Sequence, residues 1–395
     1  MAFDFDTVVE RRGTDSAKWN RFGDDVLPMW VADMDFPSPP AVIAALHKRI
    51  EHGFFGYSFG SAQLSDVICE RLAREQQWEV TPDDLVYLPG LVCGLNIVTR
   101  AVGEPGDGVL VNTPVYPPFL SAPTNQGRTI QTADMALTRQ PRPQGAGEIL
   151  YYTPDLDALQ AAVTDETRLF ILCNPHNPVG REFTRDELTQ LGEFCVRNNL
   201  TICSDEIHAD LLLGDTHHTS IAGLDSELAD QTITLLAPSK TFNLPGLGLS
   251  VAVIQNEALR TRFRSVMAGI VPHPNILGYT AALTAYTECD EWLTELRAYL
   301  TANRDYMVDF VTAHFPHIPL TVPEATYLGW LDLRGAQLGD NPADALLETA
   351  KVAVGNGADF GAAGQGFVRI NFGCPRALLQ EGLERIGQGL RKAVA

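Results

Sequence analysis

The feature that most constrains the fold is a repeated alternation of short apolar runs and helical patterns from residue 84 to residue 242. Three of the runs, "DLVYL" at 84–88, "RLFILC" at 168–173 and "TITLL" at 232–236, are almost continuously apolar. Such runs are typical of strands that are buried on both faces, and the helical segments between them are typical of parallel crossover connections. The pattern predicts an α/β fold with a mainly parallel, helix-flanked sheet.

The two ends of the chain have a different character. The first 45 residues are irregular and rich in aromatic residues, and they lead through a proline-rich turn into a helix. After residue 275, a long helical pattern gives way to the strand-like segments "TYLGWLDL" and "GFVRINFG". We therefore predict a large domain at 46–275 and a small α+β domain that is built from both termini, 1–45 and 276–395. The segment "QPRPQGAGE" at 140–148 is a predicted surface loop.

Charge and composition exclude several classes of protein. The 395-residue chain has a formal net charge of -20 and no basic cluster, so we expect no binding to nucleic acid. It shows neither a signal-peptide pattern nor an apolar run of about 18 residues, so we expect no membrane segment. Its seven cysteines form no C-x-x-C pair and no Cys/His cluster. This usage predicts free thiols, no metal site and a cytoplasmic location.

Three polar side chains follow apolar runs and are candidates for chemistry. Asn177 comes after "LFILC", Asp205 after "LTICS" and Lys240 after "TITLLAPS". Ligands of open α/β sheets bind beyond the carboxyl ends of the strands, so an amide, a carboxylate and an amine are expected to meet there. Taken singly, each has a structural alternative. The lysine could extend to solvent, the aspartate could cap a helix, and the asparagine could belong to a proline turn.

Taken together, the three side chains fit pyridoxal 5'-phosphate. This cofactor needs a lysine amine that bonds to its aldehyde, a carboxylate beside its ring nitrogen and a donor to its phenolate oxygen. We assign these roles to Lys240, Asp205 and Asn177. The phosphate is predicted to contact backbone N–H groups at a helix N-terminus and one hydroxyl, which come from Gly90, Leu91, Val92, Cys93 and Ser239.

Several sequence blocks carry a resemblance to a known family. The blocks "CNPHNPVG", "SDEIHADL", "APSKTFNLPGLG" and "RINFG" resemble the signatures of fold-type I pyridoxal-phosphate enzymes, the aspartate-aminotransferase superfamily. The segments "FDTVVERRGTDSAKWNRF", "LPMWVADMDFPSPPAV" and "GFFGYSFG" resemble more narrowly the cystathionine β-lyase-like C–S lyases of the MalY/PatB type. The resemblance spans essentially the whole chain.

The resemblance implies further roles in the site. Arg369 in "VRINF" matches the arginine that binds the substrate α-carboxylate, with Asn177 and Ala32 as further substrate contacts. Tyr116 in "NTPVYPPF" matches the aromatic residue that stacks on the cofactor ring, and is implied to take part in catalysis. His208 of the "DEIH" element is placed beside the cofactor, although a structural histidine is the alternative.

Tyr57 in "GFFGYSFG" matches a tyrosine that reaches the cofactor phosphate of a neighbouring subunit. The resemblance also places it at the substrate and among the catalytic residues. It therefore implies a homodimer with shared active sites, whose substrate is a small amino-acid thioether.

Two positions depart from the superfamily pattern. Aminotransferases commonly place a phosphate-binding serine three residues before the lysine and an arginine eight residues after it. Here those positions hold Ala237 and Gly248. Phosphate binding is then expected to rely on the helix N-terminus, on Ser239 and on the partner subunit. The departures favour a lyase over an aspartate aminotransferase.

The predicted activity is α,β-elimination from L-cystathionine or a related cysteine S-conjugate, with Lys240 as the base. The products would be a thiol (homocysteine from L-cystathionine), pyruvate and ammonia. One alternative is a pyridoxal-phosphate-dependent class I/II aminotransferase, because the first proton abstraction is shared. A second alternative is a regulatory protein that retains the fold and the cofactor.

Overall fold

The structure, a computed structural model, describes residues 2–142 and 147–394, so residues 143–146 of the predicted loop lie outside the described part. Its strands, numbered in chain order, are β1 (Leu27–Met29), β2 (Leu85–Leu88), β3 (Gly108–Thr113), β4 (Thr129–Asp134), β5 (Ala136–Pro141), β6 (Glu148–Thr153), β7 (Thr167–Cys173), β8 (Thr201–Asp205), β9 (Thr232–Leu236), β10 (Ser250–Val253), β11 (Leu328–Asp332), β12 (Val352–Asn356) and β13 (Phe367–Asn371). Its helices are α1 (Ala17–Asn20), α2 (Pro40–His52), α3 (Ala62–Gln76), α4 (Leu91–Ala101), α5 (Pro117–Asn125), α6 (Leu156–Ala162), α7 (Arg185–Arg197), α8 (Ser226–Gln231), α9 (Glu257–Met267), α10 (Ile276–Glu288), α11 (Asp290–His314), α12 (Pro342–Ala350) and α13 (Arg376–Val394).

A seven-stranded sheet forms the centre of the molecule. Its strand order is β2-β10-β9-β8-β7-β3-β4. Strands β9, β8, β7, β3 and β4 are parallel, and only β10 runs antiparallel to its two neighbours. The three apolar runs of the sequence are strands β2, β7 and β9. The predicted mainly parallel α/β sheet is therefore confirmed.

The alternation of side chains along β7 explains why its sequence is apolar from Leu169 to Cys173. Leu169 and Ile171 pack on one face of the sheet, in a cluster that includes α4, α5 and α9. Phe170 and Leu172 point to the other face and pack in a cluster with α6, α7 and α8. Since successive side chains of a strand point to opposite faces, the segment Leu169–Cys173, which is covered on both sides, favours apolar residues at every position.

Helix α7 begins where its sequence predicts. The hydroxyl of Thr184 accepts a hydrogen bond from the N–H of Glu187 at 3.2 Å, and the Glu187 carboxylate accepts from the N–H of Thr184 at 2.8 Å. The capping box thus satisfies two N–H groups that the first turn leaves free. The helix then buries Leu188, Leu191 and Phe194 against the sheet.

A second sheet joins the two ends of the chain. Its order is β1-β12-β13-β11, with β1 and β12 parallel and the other pairs antiparallel. Its hydrophobic core contains residues from both termini, including Trp19 and Leu383. The predicted small α+β part from both termini is therefore present. Helix α2 crosses the predicted boundary at residue 45, and the domain limits stay predictions.

No helix in the described ranges is both long and apolar enough to cross a membrane.

Candidate active site

Three adjacent strands of the central sheet bring the predicted site residues together. In the register of the sheet, Cys173 at the end of β7 pairs with Asp205 at the end of β8, which pairs with Leu235 of β9. Lys240 follows β9 by a few residues. The carboxyl ends border a cavity of about 300 Å³. It is lined by Val31, Ala32, Gly90, Leu91, Val92, Cys93, Tyr116, Cys173, Asn177, Asp205, Ile207, His208, Ser239, Lys240, Pro245, Gly248, Leu249 and Arg369.

The amine of Lys240 points into this cavity. Its Nζ donates a hydrogen bond of 2.5 Å to the carbonyl oxygen of Ala32. No carboxylate in the described ranges lies within ion-pair distance of Nζ. Burial, and after it the nearby Arg369 guanidinium, lower the pKa of Lys240 to about 8. A lysine with this pKa is neutral in an appreciable fraction of molecules near neutral pH, as a nucleophilic or basic amine must be.

The carboxyl group of Asp205 is buried at the end of β8 and is 2% exposed. Its Oδ1 accepts from the backbone N–H of Ile207 at 3.1 Å. Burial raises the pKa of Asp205 to about 7, opposed by the Ile207 N–H and by Lys240. A cation or a protonated ring nitrogen placed beside this group would restore its ionised form, because opposite charges lower the pKa of a carboxyl group.

Arg369 is a buried cation without an acidic partner within ion-pair distance among the described residues. Its Nη1 donates to Asn177 Oδ1 at 3.1 Å, and its Nη2 donates to the carbonyl oxygen of Trp30 at 2.8 Å. Its Nε is buried and has no hydrogen-bond partner in the described ranges. Burial lowers the pKa of Arg369 to about 10. A buried charge left in this state favours the arrival of an anionic ligand, and a carboxylate matches the guanidinium fork.

The segment of residues 30–36, here called the N-terminal strap, forms one wall of the cavity. Its backbone carbonyl oxygens face the cavity residues: that of Trp30 accepts from Arg369 and that of Ala32 accepts from Lys240. Both cations of the cavity lining are therefore held by the strap.

Two further groups hold the strap in place. Asn371 Nδ2 donates to the carbonyl oxygens of Val31 and Asp33, each at 2.7 Å. The buried Lys18 Nζ donates to the carbonyl oxygen of Asp33 at 3.0 Å and to Asp35 Oδ2 at 2.7 Å. A fully buried lysine paired in this way is costly to disrupt, since removal of one partner leaves a buried charge uncompensated. Lys18 of the "KW" element thus helps to hold the strap, which is the "WVADMDF" element of the sequence, in place.

The N-terminus of helix α4 forms another wall. The helix begins at Leu91 after Gly90, and no side chain among the described residues caps it. Its first N–H groups are therefore available to an anion. The Ser239 hydroxyl also lines the cavity and makes no hydrogen bond within residues 2–142 and 147–394. These groups, here called the phosphate cradle, are donors suited to a phosphate, and the described part of the chain adds no cation to the cavity lining besides Lys240 and Arg369.

Gly248, which stands where aminotransferases commonly have an arginine, is in a place that disfavours any side chain. Its φ of +58° lies in the left-handed region, where side chains are rarely tolerated. A Cβ atom at this position would lie 2.9 Å from the carbonyl oxygen of Pro89. Any side chain here would push apart the two segments that border the cradle.

His208 and Tyr116 also face the cavity, as predicted. Burial, and after it Lys240 and Arg369, lower the pKa of His208 to about 3, so the ring is neutral. Its Nδ1 is buried without a partner in the described ranges. Tyr116 donates its backbone N–H to the carbonyl oxygen of Asn177 at 3.1 Å. The roles assigned to these side chains stay predictions.

Tyr57 is the one predicted site residue that the structure does not bring to the cavity. Its side chain is fully exposed, and those of Phe54, Phe55 and Phe59 are largely exposed. The sequence resemblance placed Tyr57 at the site of a neighbouring subunit, and that assignment stays a prediction.

The cavity residues fit pyridoxal 5'-phosphate. An amine of lowered pKa, a buried carboxylate and the Nδ2 donor of Asn177 lie at neighbouring strand ends, beside a helix N-terminus that no described side chain caps. These are the donor and acceptor types that its aldehyde, ring nitrogen, phenolate oxygen and phosphate require. Arg369, which has no acidic partner among the residues that the structure describes, remains for a second anion.

Comparisons with known proteins agree with this geometry. The family model described as aminotransferase class I and II matches residues 24–386. The chain belongs to this family. It is 38% identical to cystathionine beta-lyase PatB of Bacillus subtilis (strain 168), over 98% of this chain and 99% of that protein. The predicted resemblance to the MalY/PatB type is therefore confirmed.

Solved structures of the family superpose closely on this chain. A crystal structure of OvoB, 40% identical, matches with a TM-score of 0.92 and covers 98% of this chain and 99% of its own. The crystal structure of cystalysin from Treponema denticola, which contains a pyridoxal 5'-phosphate cofactor, is 34% identical with a TM-score of 0.91. It covers 99% of this chain and 100% of its own.

Two groups of the site, the Tyr327 hydroxyl and the Trp30 carbonyl oxygen, were not predicted from the sequence. The buried Tyr327 donates its hydroxyl to the same Ala32 carbonyl oxygen that Lys240 uses, at 3.0 Å. The strap carbonyl of Trp30 was also not foreseen. A tyrosine in the apolar segment "TYLGWLDL" has no distinctive pattern, and a carbonyl acceptor is present at every residue.

Proposed function

We propose that this protein is a pyridoxal 5'-phosphate-dependent carbon–sulfur β-lyase. It performs α,β-elimination on L-cystathionine or a related cysteine S-conjugate, and releases a thiol, pyruvate and ammonia. The observation that carries the proposal is the pairing in one cavity of a neutralisable amine, Lys240, with a buried guanidinium that has no acidic partner among the described residues, Arg369. The similarity to the cystathionine β-lyase PatB supports the same reaction.

Arg369 binds the α-carboxylate of the substrate in this proposal. Its position is set from two sides, by Asn177 Oδ1 and by the Trp30 carbonyl oxygen. A guanidinium held in this way can present two parallel N–H donors to a carboxylate. The amino acid is thereby oriented with its Cα toward Lys240.

Lys240 moves the protons of the reaction. Its neutral Nζ accepts the proton from the substrate Cα, and the Ala32 carbonyl oxygen is the protein acceptor that stabilises the resulting ammonium. The Cβ–S bond then breaks, and the sulfur leaves with the bonding electron pair and takes a proton that Nζ can return. Water hydrolyses the remaining three-carbon fragment to pyruvate and ammonia.

The cofactor, when bound, supplies the electron-withdrawing ring that makes the Cα proton removable. The residues proposed to hold it are Asp205 at the ring nitrogen and Asn177 at the phenolate oxygen. The N-terminus of α4 and the Ser239 hydroxyl are proposed to hold its phosphate.

The proposal is tested with the purified holoenzyme and L-cystathionine in the absence of any 2-oxo acid. Homocysteine, pyruvate and ammonia should appear in equal amounts. Lys240→Ala should abolish them, whereas Lys392→Ala, at an exposed lysine, should not. Full activity of Lys240→Ala would contradict the assignment.

An aminotransferase is the second candidate, because the matching family model covers class I and II aminotransferases. Both reactions begin with removal of the Cα proton. Product formation that strictly depends on an added 2-oxo acid would favour this candidate. Release of thiol without an oxo acid favours the lyase.

We also propose that the protein is a homodimer with shared active sites. The support is the exposed aromatic patch of Phe54, Phe55, Tyr57 and Phe59, since contiguous exposed apolar side chains mark interaction surfaces. A cytoplasmic location stays a prediction.

Subunit mixing tests this arrangement. Tyr57→Ala and Lys240→Ala should each lose activity as homodimers. A hybrid dimer would contain one site with both residues, so an equal mixture should regain about one quarter of the wild-type activity if subunits exchange at random. A mixture of exchanged subunits that regains none would contradict sharing.

A further inference from the structure

A buried cluster of charged side chains lies beside the candidate active site and has no role in the proposed reaction. We call it the Glu–His–Glu cluster; it consists of Glu182, Glu206 and His218. The ring of His218 lies between the two carboxylates, with Nδ1 at 3.0 Å from Glu182 Oε1 and Nε2 at 3.0 Å from Glu206 Oε2. All three side chains are nearly inaccessible, at 3%, 0% and 4% exposure for Glu182, Glu206 and His218.

The other contacts of the cluster satisfy both carboxylates. Glu182 Oε2 lies 3.1 Å from His218 Nδ1. Glu206 Oε1 accepts from the hydroxyls of Ser204 and Ser220, both at 2.8 Å. Glu182 Oε1 accepts from Asn174 Nδ2 at 3.0 Å and from the N–H of Thr219 at 3.2 Å. A buried polar network that is satisfied at every member specifies one arrangement of the segments that it joins.

Each glutamate belongs to a segment that carries a predicted cofactor contact. Glu206 directly follows Asp205 in the chain. Glu182 holds the side chain of Asn174, which lies three residues before Asn177 and donates its backbone N–H to the Asp205 carbonyl oxygen at 3.0 Å. The cluster therefore connects the two segments, although none of its three residues lines the cavity.

The charges of the cluster require His218 to be protonated. Burial disfavours the charged ring, but the carboxylates of Glu182 and Glu206 outweigh burial and raise the pKa of His218 to about 10. Without that positive charge, two buried carboxylates would face each other with no cation in the cluster. Removal of one partner from a buried ionic network is among the costly single changes in proteins.

We propose that His218 is a positioning residue of the cofactor site, where it holds Glu182 and Glu206 together and so fixes Asn177 and Asp205 in the geometry that pyridoxal 5'-phosphate requires. The inference rests on the proposed function, because it takes Asn177 and Asp205 to be cofactor contacts. Two cations on neighbouring segments, Arg181 and Lys240, have other partners: Arg181 pairs with Glu187 and Glu324, and Lys240 binds Ala32.

The test measures the binding of pyridoxal 5'-phosphate to the apoprotein by absorbance titration. His218→Gln keeps a hydrogen-bonding side chain but removes the charge, and should weaken binding by about tenfold or more. The matched control is His217→Gln, since His217 is the exposed neighbour and makes no contact with the cluster in the described structure. It should bind as the wild type does.

A double variant separates charge compensation from a generic structural role. In Glu206→Gln/His218→Gln, one negative and one positive charge are removed together, and most of the lost affinity should return. Loss of structure in general would instead make the double variant bind more weakly than His218→Gln. If His218→Gln yields no folded protein, a folded double variant that binds the cofactor still supports the inference. An unfolded double variant overturns it.

Equal affinity of His218→Gln and His217→Gln would also overturn it. A wild-type protein that binds no pyridoxal 5'-phosphate would contradict the proposed function itself and remove the basis of the inference. The two failures are therefore distinguished in one set of titrations.

Discussion

Lys240 and Tyr327 donate hydrogen bonds to the same acceptor, the backbone carbonyl oxygen of Ala32, at 2.5 and 3.0 Å. The tyrosine is fully buried, and burial raises its pKa above the ordinary range, so its hydroxyl stays protonated. The ammonium form of Lys240 thus shares its acceptor, the Ala32 carbonyl oxygen, with the Tyr327 hydroxyl, a neutral donor that is always present. Such competition favours the neutral amine, in addition to the effect of burial.

Replacement of Tyr327 by phenylalanine should therefore raise the pKa of Lys240. Loss of one hydrogen bond to a shared acceptor is worth about 1 kcal/mol, which corresponds to a shift of about 0.7 pH units. Since Lys240 acts as the base in the complex with substrate, the acidic limb of the pH profile for kcat should move upward by that amount. An unchanged profile in a variant with normal thermal stability would show that Tyr327 only fills space.

The reactivity of the Lys240 amine should itself follow its lowered pKa of about 8. Since only the neutral amine attacks an aldehyde, its labelling by pyridoxal 5'-phosphate and borohydride should rise about tenfold from pH 7 to pH 9 and then level off. Peptide mass spectrometry measures the labelling, with the exposed Lys392 as an internal reference for the reagent. A rate at Lys240 that still climbs steeply above pH 9.5 would contradict the lowered pKa.

Replacement of Arg369 by lysine should weaken substrate binding more than it disturbs the fold. A lysine keeps the charge but cannot offer the planar fork, and lost charge-assisted hydrogen bonds of about 1.5–3 kcal/mol predict a KM that is about 10 to 100 times higher. Steady-state kinetics with L-cystathionine provide the measurement. Arg197→Lys on the exposed face of α7 is the control. Equal KM values in the two variants would exclude Arg369 from carboxylate binding.

Replacement of Gly248 by alanine should destabilise the protein and weaken cofactor binding. The left-handed φ and the approach of a Cβ atom to the Pro89 carbonyl oxygen predict a loss of about 1–3 kcal/mol. Gly246→Ala is a matched control, because a Cβ atom there meets nothing within 4 Å. Urea unfolding curves of the two apoproteins give the difference. Similar stabilities would mean that the segment tolerates a side chain.

The features of this molecule that could be predicted from the sequence are those that leave a pattern within a short stretch of the chain. An almost continuous apolar run such as that of β7 has one common explanation, a strand covered on both faces. Asn177, Asp205 and Lys240 each follow such a run, so the topology of a parallel sheet was enough to bring them together. The capping box of Thr184 and Glu187 is likewise local in sequence and in space.

The parts that could not be predicted depend on distant backbone groups. The Tyr327 hydroxyl reaches a carbonyl oxygen 295 residues away, and Arg369 reaches one 339 residues away. Carbonyl acceptors carry no side-chain signal, so only the folded chain reveals them. The glycine at position 248 was visible in the sequence, but the backbone angle and the close approach that disfavour a side chain there were not, because residue types do not encode them.

The strap also sets an order of events during synthesis of the chain. The residues proposed to hold the cofactor, from Gly90 to Lys240, have all left the ribosome long before Arg369 is made. The Trp30 carbonyl oxygen, translated among the first residues, finds its guanidinium partner only when strand β13 emerges near the end of translation. A nascent chain can therefore contain its proposed cofactor contacts from Gly90 to Lys240 while it still lacks Arg369, the proposed contact to the substrate carboxylate. The ability to turn over substrate is then acquired last.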